Sequence, residues 1–141
     1  MSPTYRAPTR SRDDSVPGSA GAERGLRHGV CGVGGRLHQA PADLAEALVA
    51  VQREHDERVA ARLRRFAEVP DGAVVWTRDT RSAFHRGVLS GPWSYDADGF
   101  DVDLCHVRPT TWVEVAEDDV PAVVRESFAR GGRNFQRVRA V

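Results

Sequence analysis

Trp93 and Tyr95 occupy alternate positions just after Gly91-Pro92, and Trp76 lies beside polar Thr77 and Arg78. Such aromatics are hard to place in a core. A flat aromatic face near arginine donors is what proteins use to stack an unpaired base and hold its phosphate. The spacing leaves two readings open, ordinary packing and a base-binding pocket. Arg78, Arg86, Arg108 and Arg133 are the candidate phosphate ligands. Trp112 and Phe135, flanked by apolar or β-branched neighbours, are the expected core aromatics.

Other chemistries find less support. His28, Cys31, His38, Cys105 and His106 contain ligand types that suit tetrahedral zinc. His28-x2-Cys31 has no matching second pair, however, and adjacent Cys105 and His106 point to opposite faces of a strand. No metal or cofactor is expected, and the two cysteines should be free and buried. Asp96, Asp98, Asp101 and Asp103 crowd one turn, where solvated turn residues are the better reading than a calcium loop or a catalytic pair. His85 and His106 are isolated on strands and should be packed or hydrogen-bonded. "CGVGGRL" lacks the third glycine of a dinucleotide fingerprint, and without lysine there is no Walker A loop. No catalytic residue is expected.

All 20 basic residues are arginine, isoleucine is absent, and Asn134 is the one asparagine. Those missing types have AT-rich codons, so a GC-rich genome accounts for the arginine bias. The net charge is zero, which argues against strong non-specific nucleic-acid binding by bulk charge. The chain's 141 residues make about one domain. No stretch is apolar enough for a membrane span or a secretory signal, so a cytoplasmic protein without membrane contact is expected.

The elements that would position these residues begin late. Residues 1–27 hold many Pro and Gly among Ser, Thr and Arg, and read as a disordered, dispensable tail. Residues 28–68 read as a glycine-rich loop followed by one amphipathic helix over 41–68. Leu44, Leu48, Val51, His55, Val59, Leu63 and Phe66 recur there at spacings of three and four. Leu48, Val51 and Leu63 should be buried. Residues 69–141 read as β: strands over 73–78 and 83–90, a "DADG" turn, strands over 103–109 and 111–115 with Pro109 at a bend or edge, a helix over 122–130, and a last strand. Five short strands with these helices suggest a small, highly curved α+β barrel.

The order "GAVVWTRD", "FHRGVLSGPWSYD", "HVRPTTWVEV", "DDVPAVVRESFARGGRNFQRV" resembles the PUA-like domains (EVE, YTH and SRA-related), in particular those of methylation-dependent restriction endonucleases. The resemblance covers about residues 69 to 141. It implies a PUA-like barrel with a long N-terminal helix and a short helix before the last strand, and a non-catalytic reader of DNA or RNA that holds a modified base in an aromatic pocket. Trp93 and Tyr95 match the aromatic motif after Gly-Pro, and His106 and Arg108 match the polar strand before Trp112. Trp76 joins the expected base-binding set from its place on the first strand. The resemblance also suggests a nuclease or ATPase partner, in a restriction or defence setting. The rival expectation is a protein-interaction or homo-oligomerisation module that uses the aromatic patch and the 41–68 helix.

Overall fold

A computed structural model describes residues 3–139. It shows a mixed α+β fold in which a sheet curls into half a barrel. The strands run in the order β2 (Val30–Val33), β6 (His106–Val115), β4 (Phe84–Leu89), β3 (Val74–Arg78), β1 (Thr4–Arg6), β7 (Gln136–Arg137), with β5 (Ser94–Tyr95) also pairing β6. Among the described residues only the β1–β3 pair is parallel. Among the described residues no helix is long and apolar enough to cross a membrane.

The segment expected to be a disordered tail is ordered over residues 3–27. Strand β1 inserts between β3 and β7, and Ala7 N–H donates to Trp76 O at 2.8 Å. Arg6 is buried and its guanidinium donates to the carbonyls of Ser127 and Gly131 and to Gln136 Oε1. Helix α1 (Ala20–His28) packs through small residues. A Cβ at Gly21 would lie 2.2 Å from Thr9 O, and one at Gly25 would lie 2.6 Å from Val30 O. The glycines that suggested disorder are therefore the face that lets the helix backbone approach the rest of the chain.

The single helix expected over 41–68 is two, α2 (Leu44–Glu54) and α3 (Glu57–Glu68). Asp43 caps the first by accepting from Glu46 N–H, and Asp56 caps the second by accepting from Val59 N–H. A side-chain acceptor at Asp56 satisfies amides that a continuous helix would have bonded internally, so the apolar pattern continues while the backbone turns. Ala47, Val51, Ala60 and Leu63 bury the seam between them. Val51 and Leu63 are fully buried as expected, and Leu48 packs half-buried at the edge.

Strand β6 is one ten-residue strand where two were expected. Pro109 does not break it because it sits at a handover. Residues 106–109 pair with β2, and residues 110–115 pair with β4. β5 continues along the β4 edge after Ser90-Gly91-Pro92, with a register slip of two residues. The "DADG" turn is a 3-10 segment over Ala97–Val102. Helix α4 (Ala122–Ala129) lies where the sequence placed it, and the last strand is only two residues long.

Two faces of the sheet are covered. Phe66 of α3 packs with Cys31, Val75 and Leu89 on one face, and Trp112 and Phe135 border that core as expected. Val120 and Val124 pack with Trp76 and Phe84 on the other.

Candidate functional site: an arginine-lined cleft

The residues expected to form a base-binding pocket do not meet as a set. Trp76 is 4% exposed and belongs to the cluster under α4, so it is a core residue. Trp93, Tyr95 and His106 do converge. The Trp93 and His106 rings are 6.1 Å apart and nearly parallel, while Tyr95 meets His106 edge-on at 5.2 Å. Trp93 and Tyr95 stay half-buried there. Both pack against the α2–α3 seam, and His106 is fully buried. Tyr95 Oη accepts from Leu37 N–H and donates to Leu37 O. Burial pushes the Tyr95 phenol up to about 12, so it keeps its proton.

The expected phosphate ligands fare similarly. Arg108 is 2% exposed and donates to the carbonyls of Gly91, Phe66 and Val69, with Asp71 as its ion pair at 2.8 Å. It fastens the Gly-Pro segment and the end of α3 to β6, using four of its five N–H donors. Arg78 lies over the Phe84 ring and donates to Ser82 O. Arg86 is exposed on β4. Arg78 borders a second cavity, with Arg10 and Asp79, and Arg133 lines the main one while donating to Asp14 Oδ1 at 2.6 Å.

The main cavity is a cleft of about 280 Å³. Its floor is Gly32-Val33-Gly34-Gly35, leaving β2 for the α2 loop. The lining also includes the N-terminal segment with Arg10, Arg12 and Asp13, Val59 and Arg62 of α3, and Phe135. Gly35 has φ +115°, and a Cβ there would crowd Val59 and His106. Asp103 holds this floor. One oxygen accepts from the Gly35 and Arg36 amides at 3.1 Å, and the other accepts from Ser11 Oγ at 2.7 Å. Asp103, expected to be a solvated turn residue, is buried and structural. His106 supports the floor from behind, since its Nε2 bonds to Gly35 O at 2.7 Å.

The electrostatics are one-sided. Five arginines face two aspartates, in a chain of zero net charge. Both aspartates are engaged, Asp103 as above and Asp13 with Ser15 and Arg36. The Ser15 bonds hold the Asp13 carboxyl below its ordinary range, with Arg36 adding to the effect. Among the described residues, no hydrogen bond or ion pair engages the guanidinium of Arg10, Arg12 or Arg62. Burial, then the nearby Arg12 and Arg65 charges, lower the Arg62 pKa, and the Asp56 carboxylate opposes the shift. Arginine remains protonated throughout. The cleft therefore presents positive charge beside the apolar surface of Val33, Val59 and Phe135. Its only imidazole, His55, has Nε2 taken by Arg36 O at 2.7 Å. Among the described lining residues no nucleophile is hydrogen-bonded to it.

Sequence reasoning missed Arg10 and Arg12 because they lay in the segment read as a tail. It also gave Arg62 no part in a site. The alternation in "TRSRDD" was the available signal. Both cysteines are free and buried, and burial raises both thiols, Cys31 up to about 12, so neither is poised to react. No family model, curated protein or solved structure matches this chain.

Proposed function

We propose that this protein binds a single strand of nucleic acid without catalysis, gripping backbone phosphate with Arg12 and Arg62 and seating a base against Phe135. The observation that carries this reading is that Arg12 and Arg62 line one cleft with an apolar wall and, among the described residues, neither guanidinium makes a hydrogen bond or ion pair. Two cations held close repel one another, and a phosphate between them turns that repulsion into attraction. The cleft volume is just below the roughly 300–1,000 Å³ typical of small-molecule sites.

The finer fold reading, a PUA-like barrel, is supported by where its motif residues lie. Trp93, Tyr95 and His106 pack together, and Gly91 O accepts from Arg108. In this reading the motif builds a rigid wall behind the cleft. Trp93 then shapes the cleft through His106 and Gly35 rather than touching the base.

Thermal melts test the proposal. A ligand that binds only the native state raises the midpoint as its concentration rises. A short single-stranded oligonucleotide should raise it, and a neutral-backbone analogue of the same base sequence should not. Equal protection by both, or by neither, would overturn the reading.

A further inference from the structure

A second group of ligating side chains lies apart from the cleft lining. His85 on β4 and Glu114 on β6 are directly opposite one another in the antiparallel ladder. Asp79 opens the turn between β3 and β4, and its Oδ2 is 2.9 Å from His85 Nε2. One ligand atom from each of the three lies within 4.8 Å of the other two. The Asp79 carboxylate is already oriented. Its Oδ1 accepts from the Arg81 and Ala83 amides at 2.8 and 3.0 Å, which leaves Oδ2 aimed at the imidazole. The His85 and Asp79 side chains are only 15% and 22% exposed. Among the described residues no arginine pairs with either carboxylate of the group.

The Asp79–His85 hydrogen bond alone would fix the imidazole. It does not account for a second carboxylate held opposite the same ring by strand register. We propose that Asp79, His85 and Glu114 bind a divalent transition-metal ion of the zinc class, with a fourth position open to water. One imidazole and two carboxylates are a borderline donor set that favours zinc, cobalt or nickel over magnesium and calcium. Zinc bonds of about 2.0–2.2 Å set tetrahedral ligand atoms about 3.4 Å apart. The exposed Glu114 side chain closes the remaining gap by rotation. The ion replaces the proton between Nε2 and Oδ2, so His85 binds it neutral with its proton on Nδ1. Once bound, it ties the β3–β4 turn to β6.

These ligands are not the cysteines and histidines whose types suited zinc and whose spacing did not. Cys31 and Cys105 are buried, and His106 is fully used by Trp93 and Gly35.

Tag-free protein, stripped with chelator and returned to metal-free buffer, is titrated with cobalt(II) and then with zinc. The expected result is one cobalt per chain with a visible absorption band, displaced by zinc and not by magnesium, and a thermal midpoint raised by zinc. Glu114→Gln changes an exposed side chain and keeps the fold, so it should weaken cobalt binding roughly tenfold or more. His85→Ala should remove the band. Absence of stoichiometric binding, or binding that survives Glu114→Gln and His85→Ala unchanged, overturns the proposal.

Discussion

The Trp93 indole Nε1–H donates to Nδ1 of His106 at 3.1 Å, which makes Nδ1 an acceptor and leaves Nε2–H to donate to Gly35 O at 2.7 Å. Indole nitrogen can only donate, so this pair fixes the neutral tautomer. A side chain on the aromatic wall thereby holds the floor of the cleft. Protonation of Nδ1 would set two N–H groups against each other, in a fully buried place.

Acid should weaken the fold through this residue first. Burial lowers the His106 pKa from its ordinary 6.5, and His55 lowers it further, while the Gly35 bond and Asp103 oppose the shift. Below pH 6.5 the unfolded chain takes up a proton that the native chain refuses, so stability falls as pH drops. The slope cannot exceed about 1.4 kcal/mol per pH unit for one proton. Asp13, Glu54, Asp56 and Asp79 have lowered pKa values, and they add their own loss only near and below 4.5. Urea midpoints from pH 7.5 to 5 should decline in the parent. His106→Gln should start lower and stay flat over that range.

Arg108 should prove structural. In Arg108→Met the buried carbonyls of Phe66, Val69 and Gly91 each lose a charged donor. A loss of about 3–5 kcal/mol is expected in denaturant unfolding. A stable variant that had lost oligonucleotide affinity would instead restore Arg108 to the phosphate ligands.

The N-terminal segment should be needed for stability. Arg6→Met removes donors from Ser127 O, Gly131 O and Gln136, and so loosens both α4 and β7 from β1. A loss of about 3 kcal/mol corresponds to about 6–12 °C in the thermal midpoint for a chain of this size. An unchanged melt would return the segment to a dispensable tail.

The seam between the helices offers a packing test. Leu63 is fully buried where Leu48 is half-buried, so Leu63→Ala should cost about 2–5 kcal/mol and Leu48→Ala clearly less. Equal costs in urea unfolding would mean that the two positions pack alike.

What the sequence made legible follows from how local each cause is. Strands β3 and β4 and helix α4 carry their own periodicity and turn residues, and they lie where that pattern placed them. Strand β1 is three residues long and is stabilised by its neighbours β3 and β7, so nothing within "TYR" announces it. Gly21 and Gly25 look like flexibility until the backbone that approaches them is seen. The break at His55-Asp56 was readable in part, because Asp56 is a good cap, but the apolar spacing ran straight through it.

The site was less legible for a related reason. Trp93, Tyr95 and His106 do assemble, and their chemistry suggested a pocket. How far the aromatic cluster is covered depends on α2 and α3, which are distant in sequence. Arg12 and Arg62 are 50 positions apart and become a pair only through the fold. In a chain whose only basic residue besides histidine is arginine, type carried little information, and position supplies the rest.

Fluorescence anisotropy of a labelled single-stranded oligonucleotide tests the central claim most directly, comparing the parent with Arg62→Glu and Arg86→Glu at several salt concentrations. Arg62 lines the cleft, and Arg86 is exposed on β4 outside it. The parent should bind with a salt-dependent affinity. Arg62→Glu should weaken binding about tenfold or more and flatten the salt slope by about one, with its melt unchanged, while Arg86→Glu should bind like the parent. Binding that is unaffected by Arg62→Glu, or lost equally with Arg86→Glu, would contradict the account.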